Sequence, residues 1–365
     1  MPFYGCDDES MSIEEYEPRS TLVVPEHIVT HAKYPFVDVH SHQWRMDTRD
    51  LDSLIADMDS LNMAVMVNLS GRGLSLLTKP DERDRAAERK FLKGSVENIN
   101  SNYPNRFVVF TNIGFANFGD PEWMQKTVKQ IEEDVKLGAK GLKIYKNLGL
   151  TVEDQEGKRV PVDDARLDPI WAKCGELGIP VLIHSAEPAP FWEPKDKYNE
   201  RWLELKQKPE RYRDPDIYPP WEQIMNEQHN VFRKHPETTF INAHLGWMGN
   251  NLARLGELLD EIPNMYTEIG AVLAELGRQP RFARKWFIKY QDRVLFGKDL
   301  WRPEEYYVYF RVLETADEYF DYYRKRHAFW KMYGLDLPDE VLRKLYYKNA
   351  LRIIPGLDRS LFPDS

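Results

Sequence analysis

Sulfur chemistry has almost no place in this chain. Only Cys6 and Cys174 are cysteine, so there is no disulfide framework and no cysteine-rich zinc site. No run of ~18 or more apolar residues occurs, which excludes a membrane-spanning helix. Basic charge is not in excess either. Lys and Arg total 50 against 59 Asp and Glu, a formal net charge of −9, and no Arg/Lys face is interleaved with aromatics. Nucleic-acid and anionic-membrane partners favour basic patches, so neither is expected; the expected partner is a small-molecule substrate. The first residues, MPFYGCDDESMSIEEYEPRS, lack the basic and apolar regions of a signal peptide, and a cytoplasmic location is expected. No repeat, low-complexity tract or Gly/Ser linker divides the chain. The expected organisation is an arm over residues 1–35 and a single domain over 36–365.

Against these absences stand five apolar, β-branched runs that each end on His, Lys or Asp. They are FVDVHSH (36–42), AKGLKIY (139–145), PVLIHSA (180–186), TFINAHLG (239–246) and VLFGKDLW (294–301). Near-continuous apolar runs suit strands buried on both faces, as in a parallel sheet. Three further strand-like runs, AVMVNLS (64–70), FVVFTNI (107–113) and MYTEIG (265–270), complete a set of eight. Stretches with helical apolar spacing lie between them: 51–63, 83–103, 121–137, 168–178, 221–235, 251–261 and 281–290. Strand–helix alternation with right-handed crossovers predicts an α/β fold, a (β/α)8 TIM barrel. An N-terminal arm, a Pro-, charge- and aromatic-rich insertion after strand 5 (187–219) and extra C-terminal helices decorate it. The tail reads as one aromatic helix, EEYYVYFRVLETADEYFDYY, followed by VLRKLYYKNALRII. The aromatic helix is a candidate homo-oligomer interface or a cover for the barrel base.

A barrel keeps its active site at the C-terminal ends of its strands, so these polar termini converge on one mouth. His40 and His42 are two apart on one strand and face the same way. His184, His244 and Asp299 join them from strands 5, 6 and 8, and Lys143 from strand 4. Nitrogen and oxygen donors without sulfur suit a divalent ion, Zn²⁺ ahead of Mn²⁺ or Fe²⁺, in one or two copies. The chain has 9 His; the remaining five, His27, His31, His229, His235 and His327, read as ordinary histidines of the arm, helices and loops. Arg45, Arg72, Tyr145 and Arg302 follow strand ends and are candidate anchors for a substrate carboxylate or hydroxyl. Trp44, Trp192, Trp247 and Trp301 are candidate substrate walls. Glu268, at the end of strand 7, has three readings: substrate binding, balance to an arginine, or simple solvation. Lys298 precedes Asp299 and should point away from it.

These motifs, with the closing YYKNALRIIPGL, resemble the amidohydrolase superfamily over Phe36 to Leu357. The branch they resemble most is the amidohydrolase-related (amidohydrolase 2) group that includes aminocarboxymuconate semialdehyde decarboxylase-like enzymes and lactonases. The resemblance implies that His40, His42, His184 and Asp299 are metal ligands. It implies a second-metal or substrate role for His244. Lys143 falls where some members carry a carboxylated lysine bridging two ions, and the alternative is a pairing or substrate-anchoring cation. The expected activity is metal-dependent hydrolysis of a lactone or amide bond, with Asp299 moving the proton and His244 meeting the oxyanion or the water. Non-oxidative decarboxylation of an aromatic or muconate-type acid is the alternative, and a non-catalytic metal-binding relative comes third.

Overall fold

The structure, a computed structural model, describes residues 11–13, 15–73, 84–327 and 330–364, without the side chain of Lys325. Cys6 and Arg83 lie outside the described residues.

Every expected strand run carries parallel strand, shorter than the apolar pattern that marks it. The strands are β1 (Phe36–Ser41), β2 (Met63–Asn68), β3 (Phe107–Val109), β4 (Thr111–Asn112), β5 (Leu142–Ile144), β6 (Val181–Ile183), β7 (Phe240–Asn242), β8 (Met265–Glu268) and β9 (Val294–Leu295). They pair in chain order, β1 to β3 in one sheet and β4 to β9 in the next, all parallel. β3 and β4 are one predicted strand interrupted at Phe110. The Phe110 N–H donates to Asn68 O (3.0 Å) while its carbonyl accepts from Gly71 N (3.1 Å). The Phe110 ring fills the space where a Cβ on Gly141 would sit, 2.4 Å from its edge, so that position must be glycine.

The last strand lies beside the first. Val39 N donates to Phe296 O (3.0 Å), Asp299 N donates to His40 O (2.7 Å), and Ser41 bridges Asp299 in parallel. Below the strand ends Asp38 ties the two together, accepting from His40 N (2.9 Å), Lys298 N (3.2 Å) and the Tyr306 hydroxyl (2.5 Å). The fold is thus the α/β TIM barrel, with all residues of β1 buried. Asn349, in the Asn-Ala pair of the tail, is buried and its amide donates to Val294 O (2.7 Å) and Gln291 O (2.8 Å), which fixes β9.

The predicted aromatic helix is corrected. It runs only over Pro303–Glu314 and stops where Thr315 turns extended. The Thr315 hydroxyl bonds Arg311 O (2.8 Å), and the Asp317 carboxylate takes the Arg311 Nε (2.8 Å) and the His27 N–H (2.7 Å). Short polar side chains that compete for backbone and neighbouring donors end a helix that aromatic spacing alone would continue. Residues 315–327 then fold back over the mouth. The arm is pinned below by Ala32 N on Leu61 O (3.1 Å) and Lys33 N on Glu314 (3.0 Å). Among the described residues no helix is long and apolar enough to cross a membrane.

Candidate metal centre

The hydrogen-bond network fixes which nitrogen of each histidine carries a proton. His40 Nδ1 lies 2.9 Å from Glu268 Oε1, and a carboxylate only accepts. His40 Nδ1 therefore holds the hydrogen and Nε2 keeps a bare lone pair. Tyr145 donates to Leu69 O (3.3 Å), so Ser70 donates to the Tyr145 oxygen (3.2 Å) and accepts from His42 Nδ1 (2.8 Å). His42 Nε2 is bare as well. His244 Nδ1 donates to Gly270 O (2.8 Å), leaving its Nε2 to accept from His184 Nδ1 (3.3 Å). His184 Nε2 is the third bare nitrogen. Burial drives the His40 and His184 imidazoles well below their ordinary pKa and His42 down to about 4, so all three are neutral.

Two of these lone pairs converge on Asp299 Oδ1, which lies 3.7 Å from His40 Nε2 and 3.8 Å from His42 Nε2. Those gaps are too long for hydrogen bonds. Donors held 2.0–2.2 Å from one ion stand roughly 3–3.5 Å apart, close to what is seen. His40 Nε2 is buried with no hydrogen-bond partner. Burial works to raise the Asp299 carboxyl, but the electrostatic pull of the groups facing it, Lys143 among them, outweighs burial and lowers it to about 2. Proton-free acceptors facing one another repel unless a cation sits between them, so the donor set fits a divalent metal. His184 is not drawn into this trio. Its ring packs on His244 (centroids 4.5 Å apart), and its bare Nε2 stands without a hydrogen-bond partner, 4.0 Å from Glu187.

Backbone strain is concentrated here. Asp299 sits at φ 86°, and His244, Leu245, Gly246 and Trp247 form a left-handed run at φ 52–59°. Each non-glycine residue there costs roughly 1–2 kcal/mol. The Asp299 N–H on His40 O (2.7 Å) and the His244 N–H on Glu268 Oε1 (2.6 Å) hold the two turns. Strained turns of this kind aim side chains that regular strand would misdirect.

Several expected substrate residues are placed elsewhere. Glu268 is corrected: it is fully buried, bonds His40, His244 N and Gly270 N (2.5 Å), and so orients ligands rather than touching substrate. Arg72 is corrected too. It is buried and bidentate to Asp134 (2.7 and 2.8 Å) with Glu88 at 3.4 Å, leaving no fork for a ligand. Trp192 staples the insertion, its Nε1 on Pro219 O (2.9 Å), and Trp301 packs on Tyr306 (5.6 Å). Trp44 stacks on His42 (6.0 Å), and Arg45 is exposed beside it. Arg302 is exposed and lines a groove next to the mouth. Tyr145 holds the Ser70 hydrogen-bond chain behind His42. Trp247 stacks on His244 (4.5 Å) and does line the cavity.

Lys143 is buried with no partner on its Nζ, and burial brings it down to about 7 against the pull of Asp299 and Glu268. A partly neutral amine is the form that carboxylation requires, and its protonated form is the cation of the alternative reading. Lys298 points away as expected, its Nζ on Leu300 O (2.6 Å) and Glu305. His244 has no N–H left for an oxyanion, and its geometry makes it a positioning group for His184.

The cavity beside Asp299 and His244 has a volume of about 190 Å³. Its other walls come from residues the strand pattern could not point to: Glu187, Arg201 and Arg211 of the insertion, and Arg324, Arg326 and His327 of the segment that folds back. His327 is corrected from an ordinary loop histidine to a buried wall of this cavity. The charge run YYRKRH is the one sequence signal that could have marked this segment.

A parallel α/β barrel with a histidine–carboxylate set at its strand ends defines a class of metal-binding TIM-barrel proteins. The profile of the Amidohydrolase family matches residues 37–356, and the chain belongs to that family. A search of curated protein sequences gives no match. Among solved structures the chain is similar to 2,6-dihydroxybenzoate decarboxylase in complex with 2,6-dihydroxybenzoate (13% identity, TM-score 0.55, covering 88% of this chain and 99% of that one). It is also similar to dihydroxybenzoic acid decarboxylase from Polaromonas sp. JS666 with bound manganese (14% identity, TM-score 0.54, 88% and 96%). A third is 5-carboxyvanillate decarboxylase from Novosphingobium aromaticivorans, also with manganese (16% identity, TM-score 0.52, 89% and 99%). At these identities the likeness is one of fold.

Proposed function

We propose that the chain is a metal-dependent hydrolase of a C–O or C–N bond in a small cyclic or aromatic substrate, such as a lactone or amide. The observation that carries metal dependence is the meeting of two proton-free imidazole nitrogens with a carboxylate that cannot hydrogen-bond to either. His40, His42 and Asp299 would hold the ion, with His184 Nε2 next in reach. When bound, a divalent ion supplies Lewis acidity toward a carbonyl and lowers the pKa of water to about 7.

The remaining steps belong to the chain's own groups. Asp299, ionised across the whole neutral range, accepts the proton of the attacking water and hands it to the leaving group. Glu268 keeps the His40 ring turned, Ser70 does the same for His42, and His244 for His184. The fold-back segment and the insertion enclose the bond being cleaved.

Decarboxylation is the second reading. It is favoured by the decarboxylase activities of the fold neighbours and by the arginines around the cavity, which suit an acid substrate. Zinc and manganese both suit the donor set, and manganese is the ion named with two of those neighbours. One panel tests both readings: lactones, amides and aromatic acids assayed in parallel by pH-stat, by amine release and by a CO2-coupled assay, with added Zn²⁺ or Mn²⁺. Metal-dependent acid or amine release without CO2 supports hydrolysis. CO2 release overturns it in favour of decarboxylation, and turnover that survives chelation overturns both.

A further inference from the structure

The far end of the cavity holds more positive charge than the protein neutralises. Arg201 bonds Glu204 (3.0 Å) and Glu275 (2.6 Å), and Arg211 also reaches Glu204. Arg324 stands 3.8 Å from Glu305, which Lys298 already engages. Arg326 has no ion-pair partner among the described residues, and its Nε is buried without a hydrogen bond. Five cations therefore face three carboxylates. His327 registers the imbalance. Its imidazole is driven far below its ordinary pKa, first by burial and then by Arg201, Arg324, Arg326 and Arg211, and neither ring nitrogen has a hydrogen-bond partner. Its nearest carboxylate oxygen, on Glu204, is 3.7 Å away.

This end is continuous with the reaction centre. Asp299, Arg324 and Arg326 line one cavity, and Leu300, directly after Asp299, lines both it and the adjoining groove with the same two arginines. A guanidinium fork with no protein acceptor, held in a partly buried site, is shaped for a bidentate oxyanion. A volume of about 190 Å³ limits the ligand to a small molecule.

We propose that the arginine-lined end of the cavity is a binding site for a substrate carboxylate remote from the reacting bond, with Arg326 and Arg324 as its clamp. The proposal rests on the reading of Asp299 as the reaction centre, and it makes the substrate class a small carboxylic acid carrying its second functional group at the metal end. Arg201 and Arg211, held by Glu204, contribute field rather than contact. His327 offers one N–H to the same carboxylate.

The test is calorimetric titration of the metal-loaded full chain with straight-chain dicarboxylates, succinate through suberate, each paired with the monocarboxylate of equal length. At least one diacid should bind ~10-fold or more tightly than its monoacid. That gain should vanish in Arg326→Gln and shrink in Arg324→Gln, with Arg326→Lys recovering part of it because charge returns without the fork. Thermal melts establish that each variant is folded. Equal affinity for every diacid and monoacid pair would overturn the proposal, as would a gain that survives both glutamine variants. Inorganic phosphate binding more tightly than any diacid would overturn the carboxylate assignment. Metal content of the same samples separates the two claims: a diacid preference in protein that takes up no metal supports the site while contradicting the catalytic reading.

Discussion

The two ends of the cavity are built in opposite ways. At the Asp299 end every histidine N–H has an acceptor, and what is left over on the rings is a set of bare lone pairs. At the Arg326 end Glu204, Glu275 and Glu305 each already hold a cation, and the Arg326 guanidinium is left without an ion-pair partner among the described residues. The first lacks a cation and the second an anion. A substrate that brings a carboxylate to one end and a polarisable carbonyl to the other would complete both. Unsatisfied buried groups carry a cost that folding must offset, so their pairing by charge across one small cavity points to a ligand rather than to packing error.

The largest expected effect breaks the metal end outright. His40→Ala combined with His42→Ala removes two donors, and elemental analysis should find metal gone together with all measurable turnover. Asp299→Asn keeps the shape but not the proton acceptor. It should reduce kcat by ~10²–10⁴-fold with the fold intact by circular dichroism. Full turnover with metal still bound would remove Asp299 from proton transfer. Glu268→Gln should weaken metal binding by about 10–100-fold, measured by competition with a chelating dye, because His40 loses its orienting carboxylate. An unchanged affinity would mean that His40 is held by β1 alone.

Two arginines sharpen the contrast at smaller scale. Arg72 is fully paired and Arg326 unpaired, so their glutamine variants should differ in kind. Arg72→Gln strands Asp134 in the interior and should cost about 3–5 kcal/mol in urea unfolding. Arg326→Gln should shift stability by no more than ~0.5 kcal/mol. Comparable losses in both would show that Arg326 has a structural partner after all. A separate effect concerns pH. His229, buried in the helix Trp221–Lys234, is lowered from 6.5 to about 4, mainly by burial and then by Arg233 and Arg254. Between those values the unfolded chain binds the proton and the folded one does not. The stability from this group is whole above pH 6.5 and is lost as pH falls through 4, roughly 3 kcal/mol over the window. His229→Leu should make the acid limb of the stability curve shallower by that amount.

The sequence pattern reaches the metal end and stops there for physical reasons. Barrel strands are buried on both faces, so an apolar run that ends on His or Asp announces both its strand and its polar tip. That made His40, His42, His184, His244, Lys143 and Asp299 readable, together with the inward–outward alternation that turns Lys298 away. Spacing does not carry tautomers. The roles of Glu268, Ser70 and Tyr145 depend on which strand lies next to which, and they emerge only from the bonds themselves. Arg324, Arg326 and His327 were hidden for another reason. The aromatic stretch before them has helical spacing, and only Thr315 and Asp317 reveal that the helix ends and the chain folds back over the mouth. Arg72 was misplaced because its position after β2 says nothing of Asp134, which reaches it from the helix Trp123–Leu137.

The most direct test of the central claim is metal content per chain, by elemental analysis of protein purified without chelator and then offered Zn²⁺ or Mn²⁺. The geometry predicts about one tightly held ion, lost in the His40→Ala/His42→Ala variant. Protein that carries no metal and takes up neither ion would contradict it.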